Sequence, residues 1–495
     1  MIQDSRTMVP VRAIAEGLEA SVDWDEAEQK VLITTSAAAQ SEEENTAQPE
    51  ITDRPEGMDD ARAALSKSAS VILKDDGTLW SMGGNEYGQL GYSFNYKKSM
   101  PKTEEWAQIE GIEGQVAAVY CGENTYYALC TDGSVWSWGS NANCLLGADK
   151  LPSELGSRCV PEKIEGLTDV RKISCGEHYT LALKADGTVW GWGSTENWVS
   201  GLSEEQKLQD AREEEEGILD DERLDALKQE VWGEIYAWYK VPTQVSVVKN
   251  VCDIAMGKTF ALALRNDGLV YAWGNGSYSE SEKRVLGQSA PKYYSVPRLI
   301  FSDKMFPERL TDIKAVAVGD SHAVALAKDG VVSAWERNAL GVLGNALAAN
   351  DAGTLAHPLI SNGYKNDLGF PIMSGAKPME DVIALSASAY YTVALKKDGT
   401  LYVWGESPLL PYREGGYRED QWYGITVHAV EDVSDVKRVY TTYQRVDDYY
   451  TRYEGEMKKK TWVEIPLPKL IVEKEDGTLW EINFSGNKQI ADLKV

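Results

Sequence analysis

The chain has 495 residues, and its 50 Lys and Arg against 77 Asp and Glu leave a formal charge of −27. That balance excludes nucleic acid as a partner, because few cations are present to replace the counterions of a phosphate backbone. Sixteen Trp and 25 Tyr beside only six Phe suit half-buried strands with one wet edge. No run of about 20 apolar residues is present, so no membrane-spanning helix is expected. The six cysteines (Cys121, Cys130, Cys144, Cys159, Cys175 and Cys252) include no C-x-x-C pair, which argues against a zinc ribbon or a dithiol motif. Cys121 and Cys175 each precede a glycine in YCGEN and SCGEH and read as small buried thiols at equivalent strand ends.

At the front, residues 1–35 place Pro10 in the first turn of a short helix carrying Ile14 and Leu18, followed by two strands, SVDW and KVLITT, around a polar turn. The start R-T-M-V-P-V-R-A-I-A-E and the V-D-W-D turn resemble part of the domain named after the copper amine oxidase N-terminus. The name carries no chemistry here. There is no His-x-His copper pair, Asn95-Tyr96-Lys97 lacks the acidic residue that follows the quinone-forming tyrosine, and no cofactor is expected. Residues 36–57 are acidic, small and proline-punctuated, the composition of a solvated linker. Exported bacterial proteins commonly join such a module, a linker and a binding domain. The resemblance therefore implies an extracellular or cell-surface location, although Met1 leads straight into IQDSRTMVPVR with no signal peptide.

From residue 58 onward one phrase recurs seven times: KDDGTLWSM, CTDGSVWSW, KADGTVWGW, RNDGLVYAW, AKDGVVSAW, KKDGTLYVW and KEDGTLWEI. Its turn glycines are Gly77, Gly133, Gly187, Gly268, Gly330, Gly399 and Gly477, at spacings of 56, 54, 81, 62, 69 and 78 residues. An apolar run precedes each Asp-Gly and an alternating run follows, which reads as a β-hairpin around a type I′ turn with positive φ at both central residues. The third and fifth residues after the glycine are usually aromatic, as in Trp136 and Trp138, Trp190 and Trp192, Tyr271 and Trp273. Period two puts both on one face, placed to wedge between stacked sheets. A strand before each hairpin (DVRKISCG, NVCDIAMG, DIKAVAVG, DVIALSAS) and another after it (VPEKIEGL, VPTQVSVV) make four per unit. Seven units of four strands predict a mainly β chain: a seven-bladed β-propeller with a small α+β N-terminal module and helical loop insertions.

These phrases resemble the regulator of chromosome condensation repeat family in the D-G-x-V-x-x-W-G core, in the glycine three residues before a His or aromatic (Gly319 to His322, Gly176 to Tyr179, Gly257 to Phe260), and in Asn85 with Gly88-Gln89-Leu90-Gly91. Only His322 stands at the family's histidine position, only the first copy keeps G-Q-L-G, and the seventh is degenerate. KQIADLKV at the C-terminus resembles the strand after W-G and is expected to close the ring beside ARAALS at 61–66. The family acts through protein contacts, and its namesake promotes nucleotide exchange on a small GTPase.

If the strands run in order, the Asp-Gly loops lie on one face and the other loops on the opposite one. The long insertions at 194–240, 275–295, 337–378 and 406–425 follow the W-G strand, and 441–467 falls between strands one and two of blade seven, so all project from the same face. The first contains a helical pattern over about 203–235, with Ser203 and Gln206 in capping-box spacing and Leu224, Leu227 and Val231 on one stripe. Tyr236, Trp238, Tyr239, Trp422, Tyr423, Tyr449, Tyr450 and Tyr453 are the candidate partner-binding residues, because Tyr and Trp favour interfaces. Extra packing of the loops explains them about as well.

No catalytic reading competes. His178, His322, His357 and His428 show no ligand pairing, and Gly319-Asp320-Ser321-His322, which superficially resembles an esterase start, sits at a repeat position whose siblings read GEHY and GKTF. The expectation is a non-enzymatic, monomeric propeller that holds another protein, with a cell-wall or polysaccharide-binding module as the alternative and guanine nucleotide exchange as the third reading.

Overall fold

A computed structural model describes residues 2–3, 6–7, 20–25, 30–35, 61–92, 103–194, 238–275, 293–300, 310–336, 343–344, 357–360, 376–405, 427–441, 450–453, 460–463, 470–482 and 488–490, apart from positions 67, 75, 246, 247, 311, 321, 389, 390 and 431. The chain divides into two compact units, Met1–Thr52 and Asp53–Val495. In the first, Ala20–Asp25 pairs antiparallel with Lys30–Thr35, so SVDW and KVLITT form the expected hairpin, and Ile2–Gln3 pairs with Arg6–Thr7. The short helix expected near Ile14 and Leu18 and the helical stretch at 203–235 lie outside the described residues.

The second unit is a seven-bladed β-propeller. Blade 1 comprises Ala63–Leu65, Ala69–Leu73, Leu79–Gly83 and Thr103–Ile109; blade 2, Val116–Cys121, Thr125–Cys130, Val135–Ser140 and Ser157–Lys163; blade 3, Val170–Cys175, Tyr179–Lys184, Val189–Ser194 and Trp238–Gln244. Blade 4 comprises Val251–Met256, Phe260–Arg265, Val270–Asn275 and Tyr293–Leu299; blade 6, Val382–Ala387, Tyr391–Lys396, Leu401–Gly405 and His428–Ala429. In blade 7, Val436–Thr441 pairs with Leu470–Lys474, then Leu479–Glu481 and Lys488–Gln489, and an extra hairpin, Tyr450–Tyr453 with Lys460–Val463, enters between its first two strands. The first strands of all seven blades surround an axial cavity of about 280 Å³. The C-terminal Lys488–Gln489 is blade 7's own outer strand, and Ile490 packs against the cluster that holds Ala63 and Leu65.

Blade 5 departs from four strands. Among the described residues its sheet has three, Ile313–Val318, His322–Ala327 and Val332–Glu336, while Leu359–Ile360 pairs separately with Lys377–Pro378. In other blades a backbone N–H just past the outer strand donates to the second residue after the turn glycine: Ile164 to Val135 (2.8 Å), Val245 to Val189 (2.8 Å), Ile300 to Val270 (3.1 Å). In blade 5 the His357 ring takes that place, with Nδ1 2.9 Å from the Val332 carbonyl. A carbonyl only accepts, so Nδ1 carries the proton and the side chain supplies this donor.

The recurring turn differs from the expected type I′. At Asp132-Gly133 the glycine has φ of 78°, whereas Asp132 is absent from the positive-φ residues, and Gly133 N–H donates to the Cys130 carbonyl at 2.9 Å. This is a type I turn closed by a left-handed glycine, which keeps Asp in an unstrained conformation. The carboxylate is then free to cap the turn. Asp76, Asp132, Asp186, Asp398 and Asp476 each accept from the backbone N–H and the hydroxyl of the Thr or Ser two residues on. The Thr78 hydroxyl and N–H accordingly hold the Asp76 carboxyl below its ordinary range. Glycine is required here for a second reason: a Cβ on Gly133 would lie 2.7 Å from the Asp169 Cα of the next blade.

The two aromatic positions share a face but sit at different depths. Trp138, Trp192, Trp273, Trp335 and Trp404, fifth after the glycine, are wholly buried. Trp138 Nε1 donates to the Gln89 carbonyl at 2.9 Å and Trp192 Nε1 to the Leu145 carbonyl at 2.7 Å, each reaching a loop of the preceding blade. Third-position rings are shallower and most lie under a cation of their own hairpin, Lys74 over Trp80 at 4.1 Å and Lys474 over Trp480 at 4.7 Å. Sequence reading assigned both rings to the wedge; the inner one is its wholly buried part, and the outer one packs at its margin, as Trp136 does in the cluster that joins blades 1 and 2.

Candidate functional site: the insertion face

Every blade is an antiparallel ladder taken in chain order, with the extra hairpin of blade 7 set between its first two strands, so loops one-to-two and three-to-four share one face and the Asp-Gly turns share the other. The roots of the insertions obey this geometry: Ser194, Asn275, Glu336 and Gly405 end third strands, and Thr441 ends a first strand.

Of the predicted contact residues, Trp238 and Tyr239 lie together on the outer strand of blade 3, opposite Ser194 and Gly193, both half-buried. Lys240 beside them bonds Asp149 of blade 2 at 3.0 Å. Tyr450 and Tyr453 lie on one strand of the hairpin inserted in blade 7. Tyr236, Trp422, Tyr423 and Tyr449 lie outside the described residues. Trp238 and Tyr239, like Tyr450 and Tyr453, share a strand but alternate between its faces, and the two strands belong to separate blades.

Sequence reading missed a polar belt on the same face. Gln89 of blade 1 reaches both Ser68 (3.0 Å) and Asn124 of blade 2 (3.2 Å), and the Ser68 hydroxyl donates to the Asn124 side chain at 2.9 Å. Farther round, Asn143 lies 2.9 Å from His178 Nδ1, while Glu177 takes an ion pair from Lys258 of blade 4 at 2.5 Å. The signal was present as N-x-x-x-x-L-G, which recurs as NEYGQLG at 85–91 and NANCLLG at 141–147. Asn85 Oδ1 accepts from Leu90 N–H at 3.0 Å and Asn141 Oδ1 from Leu146 N–H at 3.1 Å, so both loops are built alike although the second lacks G-Q. Where the first loop has Gly88 in the left-handed region (φ 80°), the second has Cys144 (φ 58°), a strained conformation for a side-chain-bearing residue.

The histidine of Gly319-Asp320-Ser321-His322 is wholly buried, with Nε2 2.8 Å from the Thr392 hydroxyl of blade 6. Burial pushes its pKa down to about 3. Between that value and about 6.5 the unfolded chain binds the proton and the folded one does not, so stability rises with pH across this window and is lost on acidification. The His322→Gln variant is expected to lose less than the parent between pH 6.5 and 5, by about 2 kcal/mol, which urea unfolding at the two pH values measures.

All six cysteines are free thiols, and burial pushes the Cys121 thiol up to about 12 and Cys144 up to about 11, far from nucleophilic use. Among the described residues no group of three or more His, Cys, Asp or Glu is placed to hold a metal ion. No helix among them is long and apolar enough to cross a membrane.

The fold and its repeated turns define a seven-bladed propeller assembled from tandem hairpin units. Within these units the regulator of chromosome condensation (RCC1) repeat is matched by residues 132–183 and 267–326, and by 116–143, 170–197 and 251–280 in a second description of the repeat. Residues 1–48 match the copper amine oxidase N-terminal domain. Similar curated proteins include the mitochondrial RCC1 domain-containing protein RUG3 of Arabidopsis thaliana, 25% identical over 55% of this chain and 52% of its own length. The RCC1-like G exchanging factor-like protein of Mus musculus is 28% identical over 59% of this chain and 56% of its own length. The chain thus spans just over half the length of these relatives. Among solved structures, yeast RCC1 (Prp20) with Kap60 bound to it aligns with a TM-score of 0.51 at 18% identity, covering 77% of this chain and 78% of that one. Human WBSCR16 aligns at 0.50 and 20% identity, covering 70% and 76%. The extracellular or cell-surface location expected from the front module is corrected by these relatives, which are eukaryotic RCC1-like proteins, one of them mitochondrial.

Proposed function

We propose that the chain is a non-catalytic protein-binding propeller that holds its partner on the insertion face. One observation carries this reading: the ladder register puts the roots of the long insertions, Trp238 and Tyr239, and the polar belt on one side of the ring, while the opposite side carries the capped Asp-Gly turns and the connections between blades. Variable loops on a rigid scaffold are the usual way a recognition surface is built, and Tyr and Trp anchor such surfaces with little entropy loss. Tyr236, Trp238, Tyr239, Trp422, Tyr423, Tyr449, Tyr450 and Tyr453 are the proposed contacts.

The names of the mouse and human relatives, RCC1-like G exchanging factor-like proteins, favour a second reading in which the partner is a small GTPase and binding releases its nucleotide. One experiment addresses both. Affinity capture with the full chain is compared with the Trp238→Ala/Tyr450→Ala variant and with Asp398→Asn on the opposite face. A partner retained by the parent and by Asp398→Asn, and lost with the aromatic variant, supports the insertion face; the reverse pattern overturns it. Release of a fluorescent GDP from the captured protein separates exchange from plain binding.

A further inference from the structure

We propose that the seam between blades 7 and 1 is a built-in opening point of the ring, where the propeller parts while blades 2 to 6 stay packed. Every other seam is crossed by the chain itself, whereas blades 7 and 1 come from opposite ends of the propeller and each is complete in its own sheet. Backbone bonds also tie the interior seams: Val170 N–H to the Gly133 carbonyl (3.0 Å), Val251 to Gly187 (3.1 Å) and Val382 to Gly330 (3.2 Å).

The described ties across the 7/1 seam include a buried charge network and a hydrogen bond between the Arg62 backbone and Tyr440. Glu473, with its side chain 1% exposed, faces Arg62 of blade 1 at 3.6 Å and Lys437 and Arg438 of its own blade at 3.3 and 3.4 Å, and accepts from the Tyr440 hydroxyl at 3.2 Å. Arg62 also donates from Nε and Nη2 to the Leu73 carbonyl. Among the described residues the apolar cluster here has Ala63, Leu65, Ile72, Tyr440, Ile471 and Leu479 buried with Trp80, Trp106 and Ile490 packed against it, whereas one cluster of 25 buried residues runs across two seams, from blade 3 into blade 5. A cavity of about 440 Å³ lies at the turn-face end of the seam, bounded by Gly77, Gly477, Arg62 and Arg438.

The physical consequence follows from desolvation. An apolar seam loses its full burial energy when it opens, but a buried ion pair that opens regains hydration, which offsets much of the lost attraction. A seam closed in part by buried charges beside a cavity, with no described residues leading from one blade to the other, is therefore the one that parts most readily. The hairpin holding Tyr450 and Tyr453 falls in chain order between Val436–Thr441 and Leu470–Lys474, the two strands that carry this network. A partner gripping that hairpin pulls on the seam.

Hydrogen exchange followed by mass spectrometry on the full chain tests this. Amides of Ala69–Leu73 and Leu470–Lys474 are expected to exchange at least about tenfold faster than those of Tyr179–Lys184 and Phe260–Arg265. Glu473→Gln is expected to speed the first pair further and leave the second unchanged, while Arg62→Leu/Glu473→Leu slows the first pair. Equal rates at all four strands in the parent would show that the ring opens only by global unfolding and would overturn the proposal, whether or not either variant folds.

Discussion

Trp192→Ala is expected to destabilise the propeller by about 3–5 kcal/mol. Trp192 is wholly buried, its ring meets Tyr127 edge-on at 5.8 Å, and its Nε1 donates to Leu145 of the preceding blade. Truncation removes the wedge and leaves a cavity between two sheets that are held apart by their own backbones, so collapse recovers little of the loss. The Tyr127 hydroxyl bonds the same Leu145 carbonyl at 2.5 Å, so the acceptor keeps one partner and most of the cost is packing. Trp192→Phe keeps part of the ring volume and is expected to cost less than half as much. Urea unfolding followed by far-ultraviolet circular dichroism distinguishes the two; a loss below about 1 kcal/mol for Trp192→Ala would show that this ring does not join the blades. The same variant is expected to loosen the NANCLLG loop, which carries Asn143 of the polar belt.

Gly176→Ala is expected to cost about 3 kcal/mol although it adds one methyl group. A Cβ there would lie 2.2 Å from the Gly257 carbonyl oxygen of the next blade and 3.1 Å from Met256 Cγ. The obstacle is backbone on a neighbouring first strand, so relief requires the blades to part around the axial cavity. The arrangement repeats: a Cβ on Gly257 would run into the Gly319 carbonyl oxygen, and one on Gly319 into the Ser388 carbonyl oxygen. Gly156→Ala, where the new Cβ would meet only the Pro152 carbonyl at 3.9 Å, is the control and is expected to stay within about 0.5 kcal/mol of the parent. Equal melting temperatures for the two variants would remove the close approach as an explanation of these glycines.

Both effects bear on how much of the molecule its sequence discloses. Seven Asp-Gly phrases with alternating runs on either side were enough to set the blade number, the strand order and the face of the insertions, because a period-two pattern and a tight turn act over a few residues. Blade 5 was not legible in the same way: the donor that caps Val332 is the side chain of His357, 25 residues away, and nothing local marks it. The type of turn was misread because Asp-Gly alone does not say which residue takes positive φ; the following Thr, whose hydroxyl Asp76 accepts, was the missed signal.

At the candidate site, aromatic residues stood out in the sequence, whereas Gln89, Asn124, Asn143, His178 and Lys258 did not, because they become a belt only when adjacent blades bring their loops together. The location expected from the front module failed for a related reason: a short module carries information about itself, not about the propeller's relatives. By itself the sequence determined a repeated hairpin unit and the number of copies. Tertiary structure alone decided which of two equivalent rings is the wholly buried part of the wedge, that Glu473 lies buried against Arg62 where the two ends of the ring meet, and that glycines precede a loop because a neighbouring carbonyl occupies the space of a Cβ. Local propensity fixes conformation within a hairpin, but burial, desolvation and close approach depend on residues hundreds of positions apart.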